Sequence, residues 1–160
     1  MSKWIPQEEY IETIARATSY AGLSFTDTAG RPIMFRSTHG VETWQGPGGN
    51  MDPDETPWEC ALRECREETG MVFTGPKKLL AFHFLAQNAD WPLNKFGVIF
   101  DGGMLTDEQI KGIVLDPDEH TEVCVCTIEE WEEILTPVAF VRLRATYEAR
   151  RTGTVAYLEL

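Results

Sequence analysis

The chain has 160 residues, 42% of them hydrophobic and 25% charged, with a formal net charge of −12. That length suits one domain spanning residues 1–160, and no apolar run is long enough to cross a membrane. So acidic a balance argues against a nucleic-acid polymer as partner, and it lets the protein hold a phosphate compound only if a positive ion lies between them.

The opening stretch, Met1 to Glu9, has no apolar signal core and turns acidic at once, so a cytoplasmic protein is expected. Gln7 to Tyr20 reads as an amphipathic helix, with Tyr10, Ile11, Ile14 and Ala17 at helical spacing. A turn at Ala29-Gly30-Arg31-Pro32 precedes a short strand, Ile33 to Arg36. A second strand, Val41 to Gln45, runs into a glycine loop, Gly46 to Asn50. The best-defined element is a helix from Pro57 to about Thr69. Thr56 can cap it, Glu59 completes a capping box, Pro57 fits its first turn and Gly70 stops it. An apolar strand follows at Lys78 to Leu85, then a polar loop, Gln87 to Asn94, that carries Trp91. Phe96 to Phe100 and Glu122 to Thr127 read as strands, Ile128 to Leu135 as a short acidic helix, Val138 to Arg151 as a helix and Thr154 to Leu158 as a closing strand. Strands and helices mix without strict alternation, which points to an α+β or α/β/α sandwich with a mixed sheet. Cys60, Cys65, Cys124 and Cys126 lack zinc-site spacing and read as reduced, buried thiols; Cys124 and Cys126 share a strand face.

At about 100° per residue, Trp58, Ala61, Leu62, Cys65 and Thr69 form the core stripe of the Pro57 helix. Glu64, Glu67 and Glu68 gather on another side at i, i+3 and i+4. Like charges so placed repel, and anions near a helix C-terminus oppose its dipole. A divalent cation would relieve both, and hard carboxylate oxygens suit Mg2+ or Mn2+. From the helix alone, a solvated acidic face paired with Arg63 and Arg66 accounts for the pattern equally well. The upstream Gly46, Gly48 and Gly49 favour the metal reading, because a glycine loop can fold over the helix and offer a carbonyl.

Gly49, Glu55 and the run Arg63-Glu64-Cys65-Arg66-Glu67-Glu68-Thr69-Gly70-Met71 resemble the Nudix box, with every charged and glycine position in place. Cys65 departs from it where a bulky aliphatic residue is usual. The resemblance implies an α/β/α sandwich with a mixed sheet and the box as loop-helix-loop. It implies that Glu64, Glu67 and Glu68, with the Gly48 carbonyl, hold divalent ions. Glu55 and Arg63 would brace the loop, with Gly49 and Gly70 shaping the motif. It implies hydrolysis of a nucleoside diphosphate linked to another moiety (a triphosphate, nucleotide sugar or dinucleotide) by metal-activated water, with Arg63, Glu64 and Glu68 as the catalytic group. Glu64 is the first choice for the base. Glu119 or Glu122 is the second, as base or extra metal ligand, and solvated loop carboxylates explain either equally well. For the substrate's ring, Trp91 and then Trp44 are the stacking candidates, against ordinary packing; Trp58 reads as packing.

Two uses of the same fold stand as rivals. A nucleotide-sensing module would have lost box carboxylates, and none is lost here. A prenyl-diphosphate isomerase would need a cysteine at the site, and Cys60 lies on the side of Glu64 and Glu67. A structural calcium site lacks its loop spacing. Many relatives are dimers, so a homodimer stays open.

Overall fold

Ala21, Leu23 and Phe25 alternate inward from a strand, β1 (Ala17–Asp27), that organises everything around it. The structure, a computed structural model, describes residues 4–39 and 44–160. On one side of β1 lies β6 (Asn94–Leu105), parallel to it and matched from Ala17↔Asn94 to Asp27↔Leu105. On the other side, β2 (Pro32–Ser37) pairs antiparallel with the end of β1, and β4 (Gly48–Asn50) pairs antiparallel with its middle, through Tyr20↔Asn50 and Gly22↔Gly48. Next to β2 run β3 (Trp44–Gln45) and β7 (His120–Val125), both antiparallel to it. Beyond β6 come β5 (Leu79–Leu85), antiparallel, and β8 (Ala156–Glu159), parallel to β5. The described residues thus hold a mixed sheet of eight strands.

Helices cover both faces. α2 (Pro57–Thr69) lays Cys60, Ala61 and Cys65 against Ala21, Leu23 and Phe25, and these residues form the main core. α5 (Pro137–Thr152) covers the opposite face, where Leu143 packs with Met34 and with Trp131 of α4 (Ile128–Ile134). Trp58 sits between Phe73 and Phe100 and is a packing residue, as expected. Among the described residues, no helix is long and apolar enough to cross a membrane.

The expected helix from Gln7 to Tyr20 is corrected. Only α1 (Gln7–Ile11) is helical, and it buries none of its residues. Tyr10, Ile11 and Ile14 stay about half exposed, so their helical spacing meets no second layer. From Ala17 onward, pairing with β6 supplies backbone partners that a helix would forgo, and the chain is a strand. β6 extends past the expected Phe96–Phe100 in both directions. A short helix, α3 (Asp107–Lys111), was not anticipated, although Thr106 and Gln109 form its capping box. Val41 to Thr43, the first part of the expected second strand, lie outside the described residues.

Candidate functional site

α2 is fixed at both ends by local chemistry. The Thr56 hydroxyl accepts from the Glu59 N–H at 3.3 Å, and Glu59 Oε2 accepts from the Thr56 N–H at 2.9 Å. Gly70 ends the helix in the left-handed conformation, φ 69°, with its N–H donating to the Arg66 carbonyl. Within this frame Arg63 is a hub. Its Nε and Nη2 grip both Glu55 oxygens at 2.6 and 2.9 Å, and Nη2 also donates to the Asn50 carbonyl at 3.1 Å. Nη1 donates to Glu64 at 2.8 Å and to Glu67 at 3.1 Å. One guanidinium therefore ties the loop after β4 to the acidic face of α2. Arg63 holds the Glu55 carboxyl down to about 2, with help from the Asp52 N–H.

Glu64 and Glu68 are set against the glycine loop. The Glu64 carboxylate fills the space beside Gly49, where any Cβ would collide with it. Burial pushes the Glu64 carboxyl above its ordinary value, aided by the charges of Glu68 and Glu67 and opposed by Arg63. Glu68 is 4% exposed, and its Oε2 accepts from the Gly48 N–H at 2.9 Å. His120, fully buried at the start of β7, brings Nε2 to 3.2 Å from the same oxygen, though not in line for a hydrogen bond. The segment before β7 is tied to the last turn of α2 by Val114 N–H to Thr69 O and Asp116 N–H to Glu68 O, both 3.0 Å.

Three hard carboxylates on one helix fit a divalent cation in chemistry. As placed, no three His, Cys, Asp or Glu side chains among the described residues gather as an ion cage. Arg63 instead stands between Glu64 and Glu67.

The other candidates fall in different places. Glu119 faces His39 at 3.8 Å and Glu122 faces Arg36 at 3.5 Å, both well exposed, and no contact joins either to Glu64, Glu67 or Glu68. His120, which sequence reasoning passed over, is the residue of β7 whose side chain reaches Glu68 of α2. Cys60 is buried, donates its thiol to the Gly49 carbonyl at 3.3 Å and is pushed up to about 11 by burial, so it packs the loop and is not a thiolate. All four cysteines are free, and the Cys124 and Cys126 sulfurs lie 3.2 Å apart on their shared face.

A cavity of about 130 Å3 lies on the α5 side of the sheet, lined by Gly46, Pro47 and Gly48 together with Ile33, Met34 and Leu143. Trp44 lines it and meets Trp131 edge-on at 5.4 Å. Trp91 is elsewhere. It borders an open depression with Asn50, Asp52 and Glu55, donates Nε1 to Thr18 at 3.0 Å and carries Lys95 over its ring at 3.9 Å.

Comparison with known proteins agrees with this fold. A NUDIX domain model matches residues 16–147. The ADP-ribose pyrophosphatase of Bacillus subtilis (strain 168) is 29% identical over 152 residues, which is 93% of this chain and 76% of that enzyme. The asymmetrical bis(5'-nucleosyl)-tetraphosphatase of Mus musculus is 44% identical over 39 residues, which is 24% of this chain and 26% of that enzyme. Among solved structures, the MutT protein from Methanosarcina mazei Go1 superposes with a TM-score of 0.67 at 19% identity, covering 86% of this chain and 97% of that one, a likeness of fold.

Proposed function

This chain belongs to the NUDIX domain family and is a hydrolase, and from that premise we propose that it cleaves the diphosphate linkage of a nucleoside diphosphate joined to another moiety. One observation carries the reading. Gly48, which lines the cavity, donates its N–H to Glu68 on the acidic face of α2. A ring held in the cavity therefore has its phosphates delivered to the carboxylates.

Glu64, Glu67 and Glu68, with the Gly48 carbonyl, would hold Mg2+ or Mn2+. When bound, the ion supplies positive charge to the diphosphate and acidity to a water. The chain's own groups do the rest. Glu64 takes the proton of the attacking water, and its raised affinity for protons suits that role. Arg63 holds the Glu64 and Glu67 carboxylates in place and ties them to Glu55. The Gly48 N–H keeps Glu68 turned toward the loop. Trp44, on the cavity wall, offers a face to the substrate's ring. Trp91, with Lys95 over its ring, borders the depression beside Glu55, where the second moiety would lie.

The test is a panel of nucleoside triphosphates, nucleotide sugars, dinucleotides and ADP-ribose, each incubated with and without Mg2+ or Mn2+. Metal-dependent release of phosphate or a nucleoside monophosphate is expected. No turnover of any member in either condition would refute the proposal.

A further inference from the structure

Cys124 and Cys126 have no part in hydrolysis. Cys124 lies in β7 opposite Met34 of β2, and Cys126 follows the strand, its N–H reaching the Pro32 carbonyl at 3.4 Å. Side chains two apart along extended chain share a face. The two sulfurs meet there, 3.2 Å apart. Neither is in a disulfide, and both residues are partly exposed, whereas Cys60 and Cys65 are fully buried.

Little movement separates these thiols from a bond. An S–S bond is ~2.0 Å long, so the sulfurs have about 1 Å more to close. Their α-carbons, two residues apart at ~3.4 Å each, are separated by roughly 6.8 Å, the upper end of the span that a disulfide bridges. The chain here has room to give. Among the described residues β7 pairs with β2 only, so no ladder holds its outer edge, and Cys126 already lies past the last strand residue, Val125. The pair packs on the cluster of Met34, Trp131 and Leu143. Met34 and Leu143 also line the cavity, so a change at the pair is made against the cavity wall.

We infer that Cys124 and Cys126 form a modification site: a small-molecule disulfide converts the two thiols to an intramolecular disulfide, and a small thiol reverses it. Burial, then the neighbouring Cys126, pushes the Cys124 thiol up to about 12, so Cys124 keeps its proton and Cys126 attacks first. The Cys126 sulfur gives up its proton and bonds to one sulfur of the reagent, whose S–S bond breaks. One small thiol leaves with that proton. The Cys124 sulfur then attacks Cys126 Sγ, and the second small thiol leaves with the Cys124 proton. One S–S bond has been exchanged for another. The two protein sulfurs have lost two electrons, and the reagent has been reduced to two thiols. The second step is intramolecular, which offsets the scarcity of Cys124 thiolate.

The test uses oxidised glutathione as the reagent. After reaction the chain is unfolded, alkylated with iodoacetamide and mapped by mass spectrometry. Two of the four cysteines should be alkylated, Cys60 and Cys65, with the peptide that carries Cys124 and Cys126 lighter by two hydrogens. Dithiothreitol should restore all four to alkylation. Cys124→Ser should instead retain glutathione on Cys126, because no neighbour displaces it. The inference is overturned by four alkylated cysteines in the treated parent, by a lasting glutathione adduct on its Cys124 or Cys126, or by a bond from either to Cys60, Cys65 or a second chain. A Cys124→Ser protein that retains no adduct overturns it too. The pair is independent of the reaction at α2: a protein that closes this bond yet hydrolyses no diphosphate supports the inference and sinks only the hydrolytic reading.

Discussion

The Tyr20 hydroxyl meets His83 Nδ1 at 2.7 Å by lying across Gly97 on the strand between them. A Cβ at Gly97 would collide with the Tyr20 ring. The contact joins three strands through one missing side chain. Gly97→Ala is expected to displace the ring and lower stability by about 1–3 kcal/mol, as overpacking does. Tyr20→Phe removes the hydroxyl and with it the hydrogen bond to His83, and should cost about 1 kcal/mol or more. Urea unfolding of both variants checks this, and a Gly97→Ala protein as stable as the parent would show that the ring has room to spare.

His83 also sets a pH dependence. Its ordinary value is 6.5, and in the folded protein it is lowered to about 4, first by burial and then by Arg142. Above pH 6.5 the ring is neutral whether the chain is folded or not and contributes nothing to the slope. Between 6.5 and about 4 the unfolded chain takes up a proton that the folded one refuses, so stability falls with pH by up to about 3 kcal/mol. Unfolding midpoints measured down that window should decline less in His83→Phe than in the parent. Parallel declines would place the titrating group elsewhere.

Glu68→Gln keeps an oxygen able to accept from the Gly48 N–H but removes the charge. Turnover is expected to drop at least about 100-fold, while the thermal midpoint moves by only about 2–4 °C. Activity assays beside a thermal melt separate the two effects. Near-parental turnover would rule Glu68 out of the catalytic group.

Glu55→Gln tests the brace. Arg63 would lose its two-point grip on a full carboxylate, and the Asp52 N–H a charged acceptor. Misplacing Glu64 and Glu67 through Arg63 should lower turnover by about 10- to 100-fold without unfolding the chain. Amide exchange should quicken at Asp52 in the variant, and unchanged exchange there would mean that the loop does not depend on this pair.

Much of this architecture is readable from local signals. Thr56, Pro57, Glu59 and Gly70 fix α2 because capping chemistry acts within four residues, and the i, i+3, i+4 spacing puts three glutamates on one face. What escapes local reading is what the sheet assembles. β1 was hidden because Ala17 continues the helical spacing of Ile11 and Ile14, while the partner that makes it a strand begins at Asn94. Tyr20, Gly97 and His83 meet only through register across three strands. His120 reaches Glu68 because loop hydrogen bonds fold residues 114–116 onto the end of α2, which no spacing announces.

Arg63 touches two of the three carboxylates that the ion would need. The acidic face is therefore never bare: a tethered monovalent cation occupies it when no free one does. On the proposed metal reading a divalent ion would join Arg63 among these carboxylates, so a chelator is expected to silence the protein while the guanidinium goes on offsetting the repulsion between Glu64 and Glu67.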